Sequence, residues 1–202
     1  MRRIHIGTAG WGVPRSTADA FPGEGTHLQR YAGMLNCTEI NSSFYRSHQA
    51  ETYSRWASQT PREFRFSVKV PRAITHEGRL RAARAPLESF IAQASGLEAR
   101  LAVVLVQLPP SLEFEPRPAR TFFGLLCGMF GGAVVCEPRH AGWFEPSPRT
   151  YWSNYDHAWL RLRASELRRW PAAADCWCMF DNTASGAAAS NALAFREILR
   201  GH

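Results

Sequence analysis

Short apolar runs rich in β-branched residues alternate along this chain with segments whose apolar residues recur every three or four positions. Ile4 to Gly7 reads as a strand, followed by a Gly- and Pro-rich loop to about Gly25. From His27 to Leu35, residues Leu28, Tyr31, Ala32 and Leu35 share one helical face. Thr38 to Asn41 reads as a second strand and Ala50 to Ser58 as a second helix. Phe64 to Val70 is a third strand, stopped by Pro71, which has no N–H to donate to a ladder. Leu87 to Leu97 reads as a helix, Ala102 to Leu108 as the fourth strand, Arg117 to Phe130 as a helix, and Ala133 to Glu137 as the fifth strand. Tyr155 to Trp170 reads as a helix with a basic outer face, Cys176 to Phe180 as the last strand, and Ala187 to Leu199 as the last helix. Strand and helix alternate without a break in composition, the pattern of one α/β domain spanning residues 1–202 around a parallel sheet.

The carboxyl ends of these strands change character. Glu39 and Asn41 share one strand face, as do Ser67 and Lys69 on the next strand, and Gln107 and Glu137 close the fourth and fifth. The last strand runs into Asp181 and Asn182. Parallel strands are normally buried on both faces, so a polar residue there has a cost. Five strands carrying that cost at the same end make sense if the end lines a pocket, where barrels and open sheets both place their sites.

The same strand ends carry a resemblance. IGTAGW (6–11), EINSSFYR (39–46), FSVKVPRAITH (66–76), VLVQLPPS (104–111), CEPRHAGWF (136–144), SPRTYWSNYD (147–156) and FDNTASGAAASNAL (180–193) resemble, in order, the YecE-like proteins, domain of unknown function 72. The resemblance implies a TIM-barrel-like (β/α) fold and a pocket, without naming a reaction. It also implies an internal deletion near residues 145–147, where the family continues through a further helix, strand, helix and strand. A full barrel usually needs ~250 residues, so the expectation is an incomplete one, of about six strands instead of eight. Its uncovered sheet edges would favour self-association.

Charge adds little to this picture. The chain has 24 Lys+Arg against 17 Asp+Glu, a net +7, but the arginines are scattered and form no basic arm. The bland reading is a GC-rich genome; an anionic partner is the sharper one. The five cysteines are odd in number, lack zinc spacing and sit mostly in apolar runs, as buried thiols in a reducing compartment would. With no apolar signal region and no run long enough to span a bilayer, a cytoplasmic protein without membrane contact is expected.

Lys69 is the sharpest chemical candidate, the one lysine in a chain that otherwise uses arginine. A compact ammonium with a tunable pKa is not interchangeable with a guanidinium. It could contact phosphate, donate a proton or form a Schiff base; the bland reading is an ion pair with Glu39 or Glu137. Those two carboxylates could divide acid and base roles, and the expectation is that they flank Lys69 in one cluster. With Asp181, His76 or His140 beside them they could also hold a divalent metal, although no HxH or HExxH spacing marks such a site and no metal ligand is assigned. His140, sharing a loop with Glu137, Arg139 and Trp143, is the favoured proton shuttle. His76 is set as a binding residue, and His5, His27, His48, His157 and His202 have no such setting.

Ser185-Gly186 opens the last helix and offers backbone donors to an anion. Trp11, Tyr45 and Trp143 could stack a base or a sugar, or simply pack. Thr8, Asn41, Gln107, Asp181 and Asn182 complete the expected pocket lining. The leading reading is therefore an enzyme-type pocket, a hydrolase or lyase acting by acid/base chemistry on a phosphate-containing or other anionic small substrate. Two others stay open: a nucleic-acid-binding protein or phosphodiester-acting relative of barrel endonucleases, and an inactive barrel remnant that only binds its ligand.

Overall fold

In the computed structural model, residues 3–143, 176–181 and 187–200 are described. They form, in chain order, β1 (Ile4–Thr8), α1 (His27–Met34), β2 (Cys37–Ile40), α2 (Ala50–Ser58), β3 (Arg65–Lys69), α3 (Arg84–Ala94), β4 (Leu101–Gln107), α4 (Pro116–Met129), β5 (Ala133–Glu137), β6 (Cys176–Phe180) and α5 (Ala188–Arg200). The expected α/β alternation with parallel strand pairing is what the chain adopts. The helix expected over 155–170 and the expected deletion point at 145–147 lie outside the described residues. None of the described helices is long and apolar enough to cross a membrane.

The chain divides into two packed units, residues 1–39, 60–65 and 150–202 forming the first and residues 40–59 and 66–149 the second. In the first unit β1 and β6 run parallel, from Ile4 opposite Cys176 to Thr8 opposite Phe180. A parallel bridge from Ala9 to Glu39 ties the end of β1 to β2. Helix α1 starts at a capping box: the Thr26 hydroxyl accepts from the Gln29 N–H, and the Gln29 side chain accepts from the Thr26 N–H at 2.7 Å. The helix buries Leu28 and Tyr31, and Tyr31 becomes a hub. Its phenol oxygen accepts from Thr8 N at 2.8 Å and donates to the Cys37 carbonyl at 3.0 Å. Asn36 plays a similar part at the other strand end, accepting from Ile6 N and donating to the Ile4 carbonyl, both at 2.8 Å.

In the second unit β3, β4 and β5 pair in that order, all parallel. Val68, Val70, Val104 and Val106 are fully buried. Tyr53 and Ala57 of α2, Leu87, Phe90 and Ala94 of α3, and Ala119, Phe122 and Leu126 of α4 are buried at the three- and four-residue spacing of amphipathic helices. Ser67 and Lys69 point to the other face of β3 yet are also buried, as a parallel strand requires.

Two local expectations shift. The region expected as one helix to Leu97 starts at Arg84, ends at Ala94 and passes into a tighter turn over Ser95–Arg100, broken by Glu98 at φ 52°. The loop before Gly25 contains a short 3-10 turn, Arg15–Ala20. The expectation of buried thiols holds for Cys37 and Cys176, whereas Cys127 is exposed on α4. Burial pushes the Cys178 thiol up to about 12 and that of Cys37 well above the ordinary range, so both stay protonated.

Candidate functional site

Beyond β2 the chain makes a 3-10 turn, Ser42–Phe44, that is pinned from below. The Ser43 hydroxyl lies 2.7 Å from both the Ile40 and the Lys69 carbonyl oxygens. This turn presents Phe44 to the end of β3, and the Lys69 ammonium sits 4.7 Å from the centre of its ring. A cation over an aromatic face is attracted by the ring quadrupole. His76 meets the same ring edge-on, with centroids 4.9 Å apart, and its Nδ1 lies 2.9 Å from the Thr75 hydroxyl. Phe44, absent from the expected site, is therefore the platform shared by two residues that were in it. No periodicity marks it.

His76 belongs to a single π-helical turn, Ala73–Glu77, a feature found often at functional sites. The loop beyond it holds Arg79, Leu80 and Ala82 at φ 48°, 65° and 47°, a costly region for residues other than glycine. The loop is fastened by Arg79, which donates to the Ser111 carbonyl at 3.1 Å, and by Arg81, which grips both Glu115 oxygens at 2.8 and 2.7 Å. Burial pushes the His76 pKa down, and the charges of Arg72, Lys69 and Arg139 push the same way against a smaller opposite effect of Glu77. The imidazole is therefore neutral at pH 7, in cationic surroundings.

The register of β4 and β5 sets the second group. Gln107 lies directly opposite Glu137, and its side-chain N–H donates to both carboxylate oxygens at 3.2 and 3.1 Å. Arg139 adds contacts from Nε and Nη2 to Oε1 at 3.3 and 3.2 Å. Lys69 is opposite Leu105, one step earlier on the same face. The expected contact of Lys69 with Glu137 is thus replaced by two neighbouring groups, Lys69 with Phe44 and Glu137 with Gln107 and Arg139. Among the described residues no ion pair involves Lys69, which is only 6% exposed.

The other expected residues stand in different settings. Tyr45 is 70% exposed, edge-on to Phe44. Asn41 has its side-chain oxygen buried without a hydrogen-bond partner. His140 is half-buried, its Nδ1 accepting from Gly142 N at 3.1 Å. Trp143 serves packing: its indole N–H donates to the Leu112 carbonyl at 2.9 Å and its ring meets Phe114 edge-on at 4.9 Å.

In the first unit Thr8 is enclosed by the Tyr31 network. Trp11 is half-buried, Glu39 is buried with its carbonyl accepting from Gly10 N at 2.8 Å, and Asp181 is exposed. Asn182, Ser185 and Gly186 lie outside the described residues. Among the described residues no three His, Cys, Asp or Glu side chains are grouped closely enough to hold a metal ion.

His48, like His76, has its pKa lowered, by burial first and then by Arg46. In the unfolded chain both titrate near the ordinary 6.5. The unfolded state therefore binds protons first as pH falls, and the stability from these two groups is complete above that value and lost below it. Urea denaturation should show stability level from pH 8 to about 6.5 and declining below it, with a shallower decline in the H48Q/H76Q double variant. An unchanged slope in that variant would locate the titrating groups elsewhere.

Residues 5–152 match the family described as protein of unknown function DUF72. The chain is 32% identical over 142 residues to UPF0759 protein YecE of Escherichia coli K12, covering 70% of this chain and 50% of that protein. It is 29% identical over 154 residues to UPF0759 protein YunF of Bacillus subtilis 168, covering 71% and 53%. It thus spans about half the length of the curated relatives it matches. The fold is similar to crystal structures of DUF72 family proteins from Enterococcus faecalis V583 (TM-score 0.77, 17% identity, 98% of this chain and 96% of that one) and Thermotoga maritima MSB8 (TM-score 0.76, 20% identity, 98% and 100%). A family match over most of the chain, together with a relative 32% identical to it, leads to one conclusion: the chain belongs to the DUF72 family.

Proposed function

We propose that the ends of β3, β4 and β5 form an anion-binding pocket of enzyme type, acting by acid/base chemistry on a phosphate-containing small substrate. The observation that carries this is Lys69, a buried ammonium with a π contact and no carboxylate paired to it among the described residues. A buried charge without a counter-charge is expensive, and a bound anion supplies the missing partner. Arg72, Arg139 and the neutral His76 surround the same place electrostatically. In this reading Lys69 takes the anion and His76 and Glu137 move protons, with His140 and Glu39 as further candidates for that role. The fold we propose for the whole chain is the incomplete TIM-barrel-like (β/α) form, about six strands instead of eight.

The test is thermal. Inorganic phosphate should raise the melting temperature in a saturable way, by the mass-action stabilisation of a ligand that binds only the folded state, about 2.7 kcal/mol at a hundredfold excess over Kd. Lys69→Met should fold and lose that shift. A wild-type shift no larger than that from chloride at equal ionic strength would overturn the reading, as would a full shift in the variant.

A further inference from the structure

The turn that carries Phe44 begins at Ser42, whose side chain is exposed and whose hydroxyl lies 2.8 Å from His48 Nε2. The imidazole itself is buried, 8% exposed. It meets Tyr53 edge-on at 5.8 Å and Trp56 edge-on at 5.0 Å, and those rings meet each other at 5.5 Å. Both aromatics stand on α2, so the histidine is held while the serine facing it is open to solvent. This is the arrangement of a nucleophile beside a fixed base. A neutral imidazole that accepts at Nε2 can take the hydroxyl proton, and the nearby Arg46 charge together with burial keeps it neutral. Asn41, immediately before the serine, has its carboxamide oxygen buried with no hydrogen-bond partner.

We propose that Ser42 and His48 are a nucleophile–base pair for acyl transfer from a small carboxylic ester. Ser42 Oγ adds to the ester carbonyl carbon while its proton passes to His48 Nε2. The carbon–oxygen bond to the alcohol then breaks, and the alcohol leaves with that proton. Water adds to the acyl-serine, giving one proton to His48. The acid departs as the bond to Ser42 Oγ breaks and His48 returns the proton to the serine. The pair makes no use of Lys69, so it goes beyond the anion pocket and does not depend on it.

Diisopropyl fluorophosphate, which phosphorylates activated serines with loss of fluoride, is the probe. The full chain should take one adduct by intact mass, mapped to the peptide carrying Ser42, and S42A should take none. H48Q should react at least tenfold more slowly. The wild-type rate should stay level through pH 6.5 and fall only at lower pH, because a protonated His48 cannot accept the serine proton and its pKa lies below the ordinary value; Arg46, Tyr53 and Trp56 are the groups that face it. The pH profile needs no variant, so it decides the matter if H48Q fails to fold. No adduct at Ser42, or an adduct formed at a rate independent of pH and unchanged in H48Q, would reduce the pair to a structural hydrogen bond and overturn the proposal.

Discussion

Gly7→Ala is expected to prevent the first unit from folding. Gly7 lies within β1, where an added Cβ would stand 2.1 Å from the Cys37 carbonyl oxygen, 2.7 Å from its carbon and 2.9 Å from its sulfur. The first two are backbone atoms of β2 and cannot swing aside like the end of a flexible side chain. Relief would require β1 and β2 to separate, breaking the Thr38 hydroxyl bond to the Thr8 carbonyl and the Tyr31 bonds to Thr8 and Cys37. A loss beyond about 4–5 kcal/mol is the expected scale for a strain that nothing can absorb. Since typical total stability is about 5–15 kcal/mol, the variant should be found in inclusion bodies or lack a cooperative transition by circular dichroism. A soluble variant melting within a few degrees of wild type would show that the strands can part at little cost.

Tyr31→Phe is expected to be the next most damaging change. It removes one oxygen and leaves a ring of the same shape, so the packing against Phe21 at 5.8 Å and Phe64 at 6.3 Å survives. What is lost is the acceptor for Thr8 N and the donor to the Cys37 carbonyl, both buried. Each orphaned buried group costs about 1–3 kcal/mol, and the two together should cost about 3 kcal/mol. The urea midpoint should fall with an unchanged slope, because the surface exposed on unfolding stays the same. A loss below about 0.5 kcal/mol, the scale of an unremarkable surface change, would mean the network is already satisfied by other groups.

The strands and helices were legible because their signal is local. A pattern such as Phe66, Val68 and Val70, all buried at 0% exposure, needs only alternation and β propensity to be recognised. That Lys69, Gln107 and Glu137 each stand at a strand end was legible for the same reason, since parity assigns each to a face. What failed was partnership. Parity cannot say that Gln107 lies opposite Glu137 while Lys69 lies opposite Leu105, because that offset belongs to the sheet register. Trp143 shows the same limit: its sequence neighbours are charged loop residues, yet its partners are Leu112, Phe114 and Phe123, about twenty to thirty positions away.

His48 is the instructive miss. It was grouped with histidines lacking a chemical setting, and a serine six positions earlier is off the helical repeat and lies in no strand. A three-residue 3-10 turn and the short loop leading into α2 bring the two within 2.8 Å, and α2 then supplies the rings that hold the imidazole.

By itself the sequence determined the order of the described elements, the parallel α/β class, the polar strand ends and the family, because propensity, periodicity and motif order are written in neighbouring residues. Only the tertiary structure decided that Lys69 rests on Phe44 rather than against Glu137, that Thr8 bonds to Tyr31 and Trp143 to Leu112, and that Ser42 faces His48. Those outcomes depend on strand register and on turns closing at specific angles, where a shift of one residue changes every partner.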